Sequence, residues 1–228
     1  MNLTSNRLIA ASGLCAAAAG AIFIGVQINH PPADVAHVMT TEVFVREGAK
    51  ATMAVLALAG FAGLFARCHR RMGVAGLIGY VLVSLGYLAI FAVQCIVAFV
   101  LPTVAKTDPA YVQDFIDGAM GKTPTGDIGT MMILFTAMGL GFAVGGLLFG
   151  ISLYRSRLVS RWASALFACS TIAVLALKFL PESFSRPFAV PTGIALIGLG
   201  VSLWRDQRHP TEVIDAPVAT PVAVAAAR

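Results

Sequence analysis

The sequence predicts an all-α, polytopic membrane protein with six transmembrane helices, and three observations carry that prediction. Only 12% of the 228 residues are Asp, Glu, Lys or Arg, while 58% are hydrophobic; a soluble domain is about 25% charged. Mean hydropathy is +0.84, so a domain of this size has more apolar surface than it can hide from water, and the bilayer is the solvent to expect. The apolar residues gather in runs long enough to cross about 30 Å of hydrocarbon, with basic residues at the ends of those runs.

Six such runs cover about residues 8–28, 50–66, 73–101, 128–154, 162–180 and 187–204. The first follows Arg7. It is longer than a signal h-region of about 7–15 residues and lacks an A-x-A site, so it reads as an uncleaved anchor. Bulky Leu14 before Cys15 speaks against a lipoprotein site. The second run is short, and Lys50 and Arg67 are expected to snorkel from its ends. The third is longer than a bilayer requires and should tilt or project, with Pro102 ending it. The fourth and fifth flank "YRSRLVSR", and the sixth closes on Trp204 and Arg205. Residues 1–205 form the membrane domain; 206–228 are Pro-, Ala- and Val-rich without helical period and read as a disordered cytoplasmic tail.

Orientation follows from the short loops. Arg7, "ARCHRR", "YRSRLVSR" and Arg205 fall on one side if there are six spans, and the other side holds eight of the eleven acids: Asp34, Glu42, Glu47, Asp108, Asp114, Asp117, Asp127 and Glu182. Both termini are therefore expected in the cytoplasm, with the protein in a bacterial cell (inner) membrane. The net charge of +5 is accounted for by these boundary residues. No basic stripe interleaved with aromatics is present, so nucleic acid is not an expected partner.

Each outer loop predicts a short amphipathic helix. In the first, Pro31 and Pro32 break the chain, Asp34 caps a helix, and Val35, Val38 and Met39 share its face as it leads into the second span. In the second, Asp108-Pro109 is a cap followed by a favoured first residue, Tyr111, Val112, Phe115 and Ile116 form the apolar side, and Gly118 or Gly121 stops the helix. The two helices are expected to pack together as a cap over the bundle. "GKTPTG" at 121–126 is not a P-loop, because the first glycine of that motif would fall at Ile116.

Chemistry-bearing residues are few. His30, Asp34 and His37 are the only candidate metal ligands, and the prolines after His30 leave only Asp34 and His37 on one helix. A zinc site needs three or four ligands in tetrahedral reach, so a solvated polar face is the preferred reading, and no catalytic residue or cofactor is assigned. No Asp, Glu, His or Arg lies in the middle of a run. That weighs against a proton-coupled transporter, a bis-histidine haem and an intramembrane protease. The four cysteines show no CxxC and no pair in an exported loop. Gly13, Ala17, Ala21 and Gly25 form one line of small residues, and Gly141 with Gly145 and Gly146 with Gly150 form others. Such lines let helices approach closely, within the monomer or across a homodimer.

Together "NHPP", "GLFARCHRRMGVAGLIGYVLVSLGYL", "GGLLFGISLYRSRLVSRWA" and "GIALIGLGVSLWR" resemble a broad group of small bacterial six-helix integral membrane proteins. The resemblance spans about residues 8–205 and implies fold and location, with no site residue to carry over. The expected function is that of an accessory or structural membrane protein that binds lipid or a membrane partner. A small-molecule transporter or channel is the alternative, and a metal-dependent enzyme built on His30 and His37 ranks third.

Overall fold

The computed structural model describes residues 5–173 and 189–208, and every regular element among them is helical. In order these are α1 (Ser5–Gly25), a single turn α2 (Val35–Val38), α3 (Thr41–Cys95), a π turn (Ile96–Val100), α4 (Leu101–Val104), α5 (Pro109–Ala119), α6 (Met131–Leu140), a second π turn (Gly141–Gly145), α7 (Gly146–Ser156), α8 (Arg161–Ala173) and α9 (Ala189–Arg208). Three stretches are long and apolar enough to cross a membrane by length and composition: Ser5–Gly25, Thr41–Val104 and Met131–Ser156.

The longest of these is folded in two. Gly73 has φ 60° and ψ −165°, a backbone region open essentially to glycine alone. The Phe61 and Tyr87 rings lie 4.9 Å apart, whereas a straight helix would separate residues 26 apart by about 39 Å. Phe65 stacks on Tyr80 at 4.5 Å, and Phe44 meets Phe99 at 5.5 Å. The limb 41–72 thus runs antiparallel to the limb 74–95 and the π turn that follows it. The basic stretch 67–71, expected in a turn, is helical to Met72, and Gly73 alone turns the chain.

Small residues set the remaining neighbours. A Cβ on Gly13 would lie 2.7 Å from the Gly200 carbonyl oxygen, and Gly20 faces Gly193, so α1 and α9 run antiparallel. On its other side α1 meets the first limb of α3, where a Cβ on Gly60 would lie 2.6 Å from that of Ala16. Gly86 abuts Phe142, and Gly79 abuts Phe149, which joins the second limb to the second π turn and α7. Gly146 and Gly150 receive Thr171 and Ala168 of α8, and Gly198 of α9 receives Trp162 and Ala163. These contacts close into a ring of antiparallel neighbours. The predicted line in α1 is correct at Gly13 and Ala17 only. Ala21 is exposed and Gly25 faces open space, because the close approach to α9 recurs every seven residues, Gly13 to Gly20, rather than every four.

Aromatic and leucine side chains fill the middle of the ring. Phe61 lies 5.8 Å from both Phe149 and Phe167, ring centre to centre, and these rings, with Tyr87, Leu196, Leu199 and Leu203, have no solvent exposure. A second core lies beyond one end of the bundle, where Val38, Val112, Phe115 and Ile116 pack on Val93, Leu101, Ile128 and Phe135. The two loop helices therefore do share one cap.

Several predicted boundaries move for physical reasons. Pro102 does not end its helix. Its ring would collide with the carbonyl four residues back, and the wider π turn at Ile96–Val100 relieves that clash, so the helix resumes over Leu101–Val104. The first loop helix stops after Val38, and Thr40, whose hydroxyl accepts the Val43 amide, caps a fresh start at Thr41. The helix after the second loop begins at Met131, past Gly129 with φ 60°. Residues 206–208, assigned to the tail, are helical. The predicted run 174–180, Lys178, Glu182 and residues 209–228 lie outside the described residues.

Candidate functional site

The residues singled out for chemistry sit at the end of the bundle that carries the loop helices. Asp34 is the N-cap of α2: its Oδ1 accepts the His37 amide at 2.9 Å, as capping predicts. The same oxygen lies 2.7 Å from His37 Nδ1. The ring bond, followed by the amide bond, holds the Asp34 carboxyl below the usual carboxylate range. The pair is half exposed and ties one turn of helix to its own cap.

His30 belongs to another group. Its Nδ1 lies 2.8 Å from the Pro31 carbonyl, which can only accept, so Nδ1 carries the proton. Nε2 then accepts from Lys50 Nζ at 2.9 Å. Lys50 also donates to Glu47 Oε1 at 2.6 Å, and Glu47 is only 5% exposed. Both imidazole nitrogens of His30 are thus committed to protein partners, away from the Asp34–His37 pair. Among the described residues no group of three or more His, Cys, Asp or Glu is gathered as a metal site would need. The predicted snorkelling of Lys50 is replaced by this ion pair, because a buried carboxylate one turn earlier competes for its ammonium.

Arg46 is the residue that sequence reading passed over. Its guanidinium donates to the carbonyls of Val26, Ile28 and Asn29 just beyond α1 and to Glu42 Oε1. It supplies donors and positive charge where a helix leaves carbonyls unsatisfied. The Glu42–Arg46 spacing of four and the Glu47–Lys50 spacing of three are both legible once the helix is known to begin at Thr41.

Asp114 is the other buried acid at this end, 7% exposed. It accepts from the Thr125 amide at 2.8 Å, the Thr125 hydroxyl at 2.9 Å and the Gly126 amide at 3.0 Å. The Thr125 amide leads in pulling its pKa down. "GKTPTG" is therefore a loop folded onto a carboxylate, and what is bound there is part of the chain itself. The arrangement at this end caps helix termini and pins loops. Among the described residues it brings together no nucleophile, base and oxyanion donors. No protein-family model, curated protein or solved structure matches the chain, so the geometry carries the functional reading.

Proposed function

We propose that this chain is an integral membrane protein crossing the bilayer six times, and that it acts as an accessory or structural component that binds lipid or a membrane partner. The filled centre is the observation that carries the reading. Where a conduit would need a polar lining, Phe61 meets Tyr87 and Phe149 edge to face and Phe167 at a tilt, and the four rings leave no exposed surface. The crossings would be α1, the two limbs of α3, α6 with α7, α8 and α9. The antiparallel neighbours support this count, since they gather Arg7, Arg67, Arg71, Arg155, Arg161 and Arg205 at one end and the acid-rich loops at the other. The basic end is assigned to the cytoplasm of a bacterial cell by the charge bias of inner loops.

Site-directed labelling of single cysteines at Lys122 and Arg71, in sealed membrane vesicles, tests the crossing. Opposite sidedness is expected, and labelling of both from one face would contradict it. In liposomes, small-solute flux no greater than through empty vesicles is expected. Saturable, solute-specific flux would favour a transporter instead.

A further inference from the structure

At the basic end, a cleft of about 670 Å³ opens between α1, the first limb of α3, the α7–α8 turn and α9. Arg67, His69, Arg70, Arg157 and Asp206 line it. Three arginines against one aspartate leave it formally at +2 with His69 neutral. Asp206 is taken by Arg67, Nε to Oδ2 at 2.6 Å. Among the described residues neither Arg70 nor Arg157 has a carboxylate or carbonyl partner. Arg157 is also held at φ 58°. That left-handed position after a helix usually falls to glycine, yet here it is an arginine that lines the cleft. Beside it runs a second groove of about 440 Å³, lined by Arg7, Ala10, Ala11, Leu14 and Trp204 and chiefly apolar. The two grooves meet at Asn6 and Gln207, which line both. A polar cationic cleft continuous with an apolar channel along α1 and α9 matches an amphiphile with a phosphate at its head.

We propose that this end of the bundle binds one anionic phospholipid, its phosphate against Arg70 and Arg157 and an acyl chain along the groove between α1 and α9. A general excess of arginine at an inner boundary needs neither a shared cleft nor an arginine in a glycine's conformation. The assignment rests on the proposal that this end meets lipid headgroups, and it adds lipid class and residues to that reading.

The test is native mass spectrometry of the full chain released from nanodiscs containing equal phosphatidylglycerol and phosphatidylcholine. Preferential retention of one phosphatidylglycerol is expected. Arg70→Gln with Arg157→Gln should weaken it roughly thirtyfold, about fivefold per arginine. Arg155→Gln with Arg161→Gln removes the same charge from the same end outside the cleft, and the preference should survive. Equal retention of both lipids, or equal loss in both double variants, would overturn the site in favour of diffuse surface charge. Displacement of the lipid by millimolar inorganic phosphate would overturn it in favour of a free anion. Labelling at Lys122 and Arg71 separates the two levels: opposite sidedness with no lipid preference sinks the site alone, and labelling from one face sinks both.

Discussion

Asp114 shows what a single buried carboxylate does in this chain. Three donors from residues 125 and 126 converge on it and hold its pKa below the ordinary 3.8. A depressed carboxylate contributes stability that is present above its unfolded pKa and is lost as pH falls through the folded value. Protection of the Thr125 and Gly126 amides, relative to their intrinsic exchange rates, should therefore be full at neutral pH and fall below pH 3.8. Asp114→Asn should lower that protection at neutral pH and remove its pH dependence, and unchanged protection in that variant would remove Asp114 as the loop's anchor. The Glu47–Lys50 pair behaves differently, because breaking it strands a charge. Lys50→Met should lower stability by about 3 kcal/mol, read as thermal unfolding in detergent. Adding Glu47→Leu should restore most of the loss, since an apolar pair of similar size carries no desolvation cost. Sequence alone showed Asp34 and Asp108 as caps, because capping is local and both are followed by helix-forming residues. It did not show the ligands of Asp114, which sit 11 and 12 residues away across a turn.

Among the elements, the hairpin at Gly73 matters most. A single residue in a glycine-only conformation reverses a helix that otherwise runs from Thr41 to Cys95. Gly73→Ala should cost about 1–3 kcal/mol through backbone strain without touching any neighbour, since nothing lies within 4 Å of the added carbon. A melting temperature equal to that of the parent would mean that the turn tolerates a side chain. The existence of two limbs was legible, because "ARCHRR" interrupts the apolar pattern. Their lengths were not. Hydropathy ends a span where charge begins, whereas a helix continues as long as its amides have partners, so the first limb reaches Thr41 and Met72 rather than stopping at 50 and 66. Pro102 misled for a similar reason: the disruption it causes is absorbed five residues upstream as a π turn.

For the molecule as a whole, the central cluster of rings decides whether the ring of helices is solid. Phe61 touches rings from the other limb of α3, from α7 and from α8. Phe61→Ala should cost about 3–5 kcal/mol, because the cavity would lie where these elements meet. Unfolding of the purified variant in detergent measures it, and a loss under 1 kcal/mol would mean that the centre can collapse around the gap. If the variant stays folded, comparing its liposome flux with the parent's tests whether the rings also act as a seal.

Taken alone, the sequence determined the all-helical class, the runs of apolar residues, the charge asymmetry between loops and the caps at Asp34 and Asp108. Each of these is set by the solvent a residue prefers or by neighbours within one helical turn. Only the tertiary structure decided that α1 lies between α9 and the first limb of α3, that His30 joins Lys50 and Glu47 rather than His37, and that Arg46 closes the end of α1. It alone also brought Arg70 and Arg157 into one cleft. These pairings join residues from 17 to 187 positions apart, and hydropathy assigns every apolar helix the same environment. What selects one neighbour over another in lipid is how closely two backbones can approach, and that depends on which glycine meets which.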